Sequence, residues 1–353
     1  MAQHATFHAL RVAAIDELTE DAVALTFEVP DDLREEFAFV HGQHLNIRGG
    51  DDVRRSYSIC TPPSTGILRI GVKKLPGGAF SEGVVDRLRV GDELEVMTPA
   101  GRFTTELDPT TRRRYVAVAA GSGITPVLSI VAALLEGEPG SNVTLLYANR
   151  TSRSVMFLDE VHDLKDRFTD RFQIVHVLSR EAQDVELLSG RLDAERFGRI
   201  LDALVPTAGV DDWFLCGPQQ MVEELRGVLT DRGVTRVHTE LFHADPVPRA
   251  PVAALVDGAD GAAKVTIRLD GRSSELSLRP DDVPVLEAAL RVRSDLPFAC
   301  KGGVCGTCRA RLVEGTVQMD ANYALEPEEI EKGYVLTCQS HPTSATVVLD
   351  YDG

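Results

Sequence analysis

Basic charge is what this sequence lacks most: 37 lysines and arginines stand against 54 aspartates and glutamates, for a formal net charge of −17. A nucleic-acid binder needs a basic face to meet phosphates, so that class is excluded. Long apolar runs are missing as well. The stretch around Leu128 to Leu135 falls far short of the roughly 20 residues needed to cross a bilayer. The first five residues, Met1 to Ala5, carry neither a basic n-region nor an apolar h-region, so no secretory signal is expected and a cytoplasmic location is. Cysteine is sparse through most of the chain, where Cys60 and Cys216 stand alone. A cytosolic chain seldom keeps structural disulfides, so the remaining four, Cys300, Cys305, Cys308 and Cys338, point to metal binding or redox work.

What is present is ordinary globular material: 353 residues, 43% hydrophobic and 26% charged, enough for two or three domains. Residues up to about 105 read as short strands between Gly, Pro and Asp turns: Ala22–Val29, His44–Arg48, Ser56–Ile59, Ile67–Val72 and Glu93–Met97. That spacing predicts an antiparallel barrel with one short helix after Ser81. After the polar bridge Glu106 to Arg114, apolar runs at Tyr115–Ala119, Val143–Tyr147, Gln173–Leu178 and Trp213–Leu215 alternate with amphipathic stretches such as Pro126–Leu135 and Gln219–Leu229. That alternation predicts βαβ units and a parallel sheet. A Pro-, Ala-, Gly- and Asp-rich segment then reads as a linker, implying a mobile last module. The last 90 or so residues are mixed. They open with a hairpin, Lys264–Leu269 and Ser274–Leu278 around Asp270-Gly271, and a helix over Val285–Val292 follows. The expected division is 1–107 for the barrel, 108–245 for the α/β domain, 246–262 for the linker and 263–353 for the last domain.

The strongest chemical signal is Cys300-x4-Cys305-x2-Cys308, with Cys338 after 29 more residues. This is the plant-type [2Fe–2S] spacing, four thiolates serving two irons, with a potential on the order of −400 mV. The small residues between them, Gly302, Gly303, Gly306 and Thr307, let a loop wrap closely and turn backbone N–H groups toward sulfur. Zinc is the alternative, but it usually takes two C-x2-C pairs, and only one is present. A second signal follows the strand Tyr115–Ala119: Gly121-Ser122-Gly123-Ile124-Thr125-Pro126, running into a helical pattern. A strand, a glycine turn and a helix N-terminus make a pyrophosphate site, because unpaired N–H groups and the helix dipole face the anion. Pro126 is expected at the first helical position, where its missing N–H costs nothing. The third glycine of the dinucleotide fingerprint is absent. Cys216-Gly217-Pro218 ends another apolar strand at the same crevice, near an expected nicotinamide; a buried cysteine without a chemical role is the alternative. The second strand ends Asn149-Arg150-Thr151-Ser152-Arg153, with no carboxylate. Arg150, joined by Arg180 after the next strand, suits the 2′-phosphate of NADPH, with NADH left possible.

In the barrel, Arg55-Ser56-Tyr57-Ser58 and Gly77-Gly78-Ala79-Phe80-Ser81 complete a set of motifs in a definite order. With these the chain resembles the ferredoxin–NADP reductase superfamily, in the subgroup with a C-terminal plant-type ferredoxin domain, over nearly its whole length. The resemblance implies a multidomain fold: an FAD-binding β-barrel, an NAD(P)-binding α/β domain and an α+β ferredoxin domain of the β-grasp kind. It implies FAD as cofactor. Arg55 would grip its pyrophosphate, Tyr57 would pack on the isoalloxazine, and Ser58 would bond near N5, flanked by Ser56. Val72 and Lys73 would pass the ribityl and phosphate region, and Gly78 and Ser81 would face the pyrophosphate. Gly121, Gly123, Thr125, Pro126, Cys216 and Gly217 match the nicotinamide-nucleotide motifs. Glu240-Leu241-Phe242 resembles the segment closing the reductase module, with Phe242 bordering the flavin. Ser58 and Cys216 would stand at the reacting ring atoms.

Within the subgroup, the cysteine loop and Gly333-Tyr334-Val335-Leu336-Thr337-Cys338-Gln339 look most like reductases of phenylacetyl-CoA epoxidases. That implies an NAD(P)H:acceptor oxidoreductase of aromatic catabolism, feeding a separate multisubunit di-iron oxygenase component. Reductases of Rieske-type ketosteroid hydroxylases share the architecture, and a redox sensor is a third reading. His44, after Gln43, carries no assigned role. The acidic run Glu326, Glu328, Glu329 and Glu331 reads as a solvated helix face or a dock for a basic acceptor.

Overall fold

The computed structural model describes residues 6–49, 54–75, 77–78, 80–82, 86–243 and 261–353. Two compact units divide the chain, one over residues 7–242 and one formed chiefly by 243–353. Nearly all of the expected linker, through residue 260, lies outside the described residues.

The first unit holds two sheets. Strands β1 (Phe7–Thr19), β2 (Ala22–Glu28), β3 (His44–Arg48), β4 (Arg54–Ser58), β5 (Leu68–Lys73) and β6 (Glu93–Met97) form an antiparallel sheet in the order β4-β3-β6-β1-β2-β5. Its edges meet where Ile59 bridges Ile70 and the Cys60 N–H donates to the Arg69 carbonyl at 2.9 Å, so the sheet closes on itself. The period-two pattern fills the interior with Leu10, Val12, Leu25, Phe27, Leu45, Ile47, Leu68, Ile70, Val72 and Val96. The long first strand was not expected from the sequence, because Arg11, Asp16 and Glu17 interrupt its apolar alternation. The short helix expected after Ser81 runs into residues 83–85, outside the described ones. On either side of them, Glu82 N–H donates to the Gly78 carbonyl at 3.0 Å and Asp86 N–H to that of Glu82 at 3.3 Å.

The second sheet is parallel, in the order β11-β10-β7-β8-β9. Its elements run β7 (Arg114–Ala120), α1 (Ile124–Gly137), β8 (Asn142–Asn149), α2 (Leu158–Arg167), β9 (Phe172–Leu178), α3 (Ala194–Ala203), β10 (Asp212–Cys216), α4 (Gln219–Asp231) and β11 (Val237–Glu240). Helix α4 buries one stripe, Met221, Val222, Leu225 and Leu229. Helix α1 is different: every residue from Ile124 to Leu135 is buried, and its core partners come from the parallel sheet and from Ala22, Ala24 and Cys60 of the barrel. The amphipathic reading of this stretch is therefore corrected, since a helix between two sheets is apolar all round. The helix also begins at Ile124, two residues before the expected start. Pro126 still falls in the first turn, whose N–H groups have no helical partner.

Two glycines allow this packing. A Cβ on Gly71 of β5 would stand 2.6 Å from the Thr125 methyl, and one on Gly42 (φ +78°) would stand 1.8 Å from the Phe103 carbonyl oxygen. Beyond the end of α1 the fully buried Glu138 carboxylate accepts from Asp108 N–H (3.0 Å), Tyr115 OH (2.9 Å) and Ser141 OH (2.7 Å). It thus ties the connector between the sheets to the parallel sheet and to the loop after α1.

The second unit is a mixed sheet, β13-β12-β18-β14-β16, with a two-stranded β15-β17 ribbon. Its elements are β12 (Ala263–Leu269), β13 (Arg272–Leu278), α5 (Val285–Ala289), β14 (Arg309–Glu314), β15 (Val317–Met319), α6 (Pro327–Glu331), β16 (Tyr334–Leu336), β17 (Ser340–Pro342) and β18 (Thr346–Asp350). The hairpin turn is where the sequence put it, with Asp270 and Gly271 both left-handed at φ 55° and 65°. Helix α5 is shorter than expected and passes into a turn in which Arg293 N–H reaches the Ala289 carbonyl at 2.8 Å. Among the described residues no helix is long and apolar enough to cross a membrane.

Trp213 is the only tryptophan and is fully buried in the first unit, so its fluorescence reports unfolding there. Glu138→Ala strands two buried hydroxyl donors and one part-buried N–H and should lower that unit's stability by about 3 kcal/mol, read from the urea midpoint. A loss under about 1 kcal/mol would mean that the carboxylate does not hold the junction.

Candidate active site and cofactor sites

Strands β7 and β10 are neighbours, and the chain leaves them in opposite directions along the sheet, so their C-terminal ends open the crevice where such sheets bind ligands. Gly121 (φ +54°) and Gly123 turn β7 into α1, and Cys216-Gly217 turns β10 into α4. The two turns touch through backbone alone: a Cβ on Gly123 would stand 2.3 Å from the Cys216 carbonyl oxygen. A Cβ on Gly217 would stand 2.6 Å from the Met221 methyl and 3.0 Å from Ala120 Cβ. With no side chain at Gly121, Gly123 or Gly217, the two turns offer backbone to each other, a setting suited to a diphosphate. Thr125 is buried and donates to the Ser122 carbonyl at 3.0 Å, which fixes the turn.

Arg150 and Arg180 are both exposed, and Arg180 N–H donates to the Arg150 carbonyl at 2.8 Å, so the loops after β8 and β9 run side by side. The same pairing brings Glu181 onto Ser152, accepting from its N–H at 2.8 Å and its hydroxyl at 3.0 Å. No carboxylate was expected here, because the residues directly after the second strand hold none. Parallel pairing of Asn149 with Leu178 delivers one from the third.

In the barrel, Arg55 and Tyr57 share one face of β4 by alternation. Arg55 is exposed and donates to the Arg54 carbonyl at 2.8 Å, and the Tyr57 ring lies 5.2 Å from that of Phe80. Burial pushes the Tyr57 phenol up, so it stays protonated. The Ser56 hydroxyl donates to Asn46 Oδ1 at 2.6 Å. Val72 is buried in the barrel wall, while Lys73 pairs with Asp21 at 3.3 Å. Gly78 has no room for a side chain, since a Cβ would stand 2.2 Å from Ser81 Oγ, and Ser81 accepts from Leu75 N–H at 3.1 Å.

Ser58 is where the two sheets meet chemically. Its hydroxyl donates to Glu240 Oε2 at 2.9 Å, and Glu240 Oε1 lies 4.0 Å from His44 Nδ1. Burial pulls His44 down to about 4, so the ring is neutral. Burial, and after it the Glu240 charge, push the Cys216 thiol well above the usual range. Cys216 is thus a neutral, polarisable wall and not a thiolate. Sequence motifs single out Ser58 and Cys216 but give no role to Glu240 or His44, which join them only through the fold. Phe242, two residues beyond β11, is 40% exposed.

In the second unit the four cysteines form two pairs. Pairing with Cys305 is the main cause that pulls Cys300 down to about 6, and pairing with Cys308 pulls Cys338 down, while each partner is pushed up. Among the described residues no three His, Cys, Asp or Glu side chains converge as a single-metal site, whereas two thiol pairs match two irons. The loop turns N–H groups to sulfur as expected: Gly302 N–H reaches Cys300 Sγ at 3.3 Å, and Gly303 N–H bonds Cys338. Lys301, Gly303 and Gly306 are left-handed at φ 53°, 76° and 67°, which lets so short a loop wrap.

Gly123→Ala should abolish saturable nicotinamide binding while flavin and iron–sulfur absorbance persist. Unchanged KM for the nucleotide would show that the backbone contact with Cys216 is dispensable. His44, at 6.5 when solvated and about 4 when buried, makes the unfolded chain bind more protons between those values. Stability should therefore fall by about 3 kcal/mol as pH drops from about 6.5 to about 4. The profile of His44→Gln should be flatter by that amount, and an equally steep one would reassign the loss to other groups.

Three family signatures match in series: an oxidoreductase FAD-binding domain over residues 9–105, an oxidoreductase NAD-binding domain over 117–227, and a 2Fe-2S iron-sulfur cluster binding domain over 267–343. The last decides the cysteine loop for iron–sulfur over zinc. The chain is 43% identical over 352 residues, 98% of each chain, to a component of the 1,2-phenylacetyl-CoA epoxidase of Escherichia coli K12. It is 35% identical to the ferredoxin reductase component of the 3-ketosteroid-9-alpha-monooxygenase of Rhodococcus rhodochrous, over 97% of this chain and 96% of that one. Phthalate dioxygenase reductase shares the fold, at 24% identity and TM-score 0.58, each chain covered to 98%. The expected three-part architecture is thus found, and the chain belongs to the family of NAD(P)H-dependent oxygenase reductases that join FAD-binding, NAD-binding and C-terminal [2Fe–2S] ferredoxin domains.

Proposed function

We propose that this chain is the NADPH-oxidising reductase of a phenylacetyl-CoA epoxidase, serving a separate, multisubunit di-iron oxygenase in the cytoplasm. The observation that carries this reading is the identity with the Escherichia coli epoxidase component, which extends over nearly all of both chains. When bound, the flavin accepts an electron pair from the nicotinamide and the cluster passes electrons singly; the protein binds, orients and excludes water.

The assignment of residues follows the family motifs, with the geometry in support. Arg55 and the Gly78–Ser81 turn hold the flavin diphosphate, with Lys73 and the backbone at Val72 beside it. Tyr57, kept neutral by burial, packs on the ring system, and Phe242 borders it. Gly121, Gly123, Thr125 and Pro126 receive the nicotinamide dinucleotide's diphosphate at the start of α1. Cys216 and Gly217 wall the nicotinamide end. Ser58 stands near the ring's reacting atoms, its hydroxyl oriented by donation to Glu240 at 2.9 Å. Cys300, Cys305, Cys308 and Cys338 hold the cluster.

Two exposed guanidiniums on adjacent loops support NADPH, because a planar, permanently charged fork suits a 2′-phosphate. Arg150→Ala and Arg180→Ala should each raise KM for NADPH about tenfold and leave that for NADH within about twofold, as expected for one charge-assisted phosphate contact. Equal effects on both nucleotides would remove the 2′-phosphate assignment.

The partner is tested by reconstitution. Purified reductase should support NADPH-dependent epoxidation when mixed with a phenylacetyl-CoA epoxidase oxygenase component. Turnover only with a ketosteroid monooxygenase oxygenase, the second reading supported by the 35% identity, would replace the proposed partner. NADPH oxidation with a one-electron dye, but with neither oxygenase, would leave a reductase of another acceptor.

A further inference from the structure

Gln339 follows the fourth cluster cysteine, and its side chain does something the ligand spacing does not require. Its Nε2 lies 2.9 Å from the Lys301 carbonyl, 3.0 Å from the Cys338 carbonyl and 3.6 Å from Cys338 Sγ. All three partners are acceptors, so the NH2 end, and not the amide oxygen, must face them. Lys301 sits in the loop between the first two cysteines, 38 positions back along the chain. The amide therefore joins the two halves of the cysteine cage, which the backbone connects only through a long detour.

The residue is held rigidly for this. Its N–H donates to the Leu336 carbonyl at 2.9 Å, and its carbonyl accepts from Asp320 N–H at 2.8 Å. Gly303 leaves the space: a Cβ there would stand 3.2 Å from Gln339 Cγ. Lys301 is also fixed from outside, its ammonium 2.9 Å from Glu287 Oε2 and its backbone in the left-handed region at φ 53°. A non-glycine residue in that conformation is costly and persists where its surroundings hold it; the Gln339 bond to its carbonyl is one such restraint.

We propose that Gln339 is a positioning residue for the cluster. Its amide clamps the Lys301 turn to the Cys338 turn and supplies a side-chain N–H, shared between the Cys338 carbonyl and its sulfur, which raises the cluster's reduction potential. The inference rests on the reading that the four cysteines hold a [2Fe–2S] cluster. Reduction adds negative charge to the cluster and its thiolates, and a donor aimed at sulfur stabilises that charge more in the reduced state. Removing the donor therefore favours the oxidised form.

The test is an EPR-monitored redox titration of the full-length protein beside Gln339→Met, similar in length without a donor, and Gln339→Glu, similar in shape with an acceptor instead. The equilibrium for cluster reduction should shift about tenfold toward the oxidised form in Gln339→Met, which for one electron is about 59 mV. Gln339→Glu should shift further the same way, and both variants should lose visible cluster absorbance faster under an iron chelator. If Gln339→Met assembles no cluster, the potential of Gln339→Glu decides. If neither assembles one while flavin content and far-ultraviolet dichroism are retained, the clamp stands. Parent-like potentials and parent-like chelator resistance in both variants would overturn the proposal with the cluster reading intact. A parent protein with no iron–sulfur EPR signal after anaerobic purification and reduction would overturn both.

Discussion

Helix α1 is buried on every side, and the first unit is arranged around that constraint. A helix with no solvent face must satisfy its ends elsewhere and must be met on all sides by shape. At its start, Gly123 lets the turn into the helix approach the Cys216 carbonyl closely. On its flank, Gly71 lets the barrel wall approach Thr125 closely. Just past its end, Glu138 gathers the connector, the sheet and the following loop onto one carboxylate. That helix packs the parallel sheet against the barrel, and the Ser58–Glu240 hydrogen bond joins the two sheets a second time.

Burial has a second consequence, in the chemistry of the site. His44 and Cys216 are held uncharged where the barrel and the parallel sheet meet, and Tyr57 of the barrel is held uncharged as well. Glu240 is the carboxylate that reaches Ser58 there. Among the described residues the site has no activated nucleophile and no thiolate, which suits a protein whose bound groups carry the chemistry. In the second unit backbone N–H groups approach the sulfurs of Cys300 and Cys338, as suits thiols that must bear negative charge.

Much of this was legible in the residues. The cysteine spacing, the strand–glycine–helix order at Tyr115 to Pro126 and the Asp270-Gly271 turn are local patterns whose geometry follows from short-range sterics and ligand chemistry. Strand β1 was not legible, because its charged residues break the alternation that sheet pairing tolerates. Helix α1 was read as amphipathic because periodicity alone does not say how many sheets will cover it.

The sequence alone therefore determined the kinds of module and their order, since each is encoded within a few tens of residues. Only the tertiary structure decided the contacts that cross long stretches of chain: Glu240 on Ser58, Glu181 on Ser152, and Gln339 on Lys301. Their partners lie 182, 29 and 38 positions apart. Nothing in a local pattern selects one carboxylate or amide among many, and only strand register and packing bring the chosen one within hydrogen-bond reach.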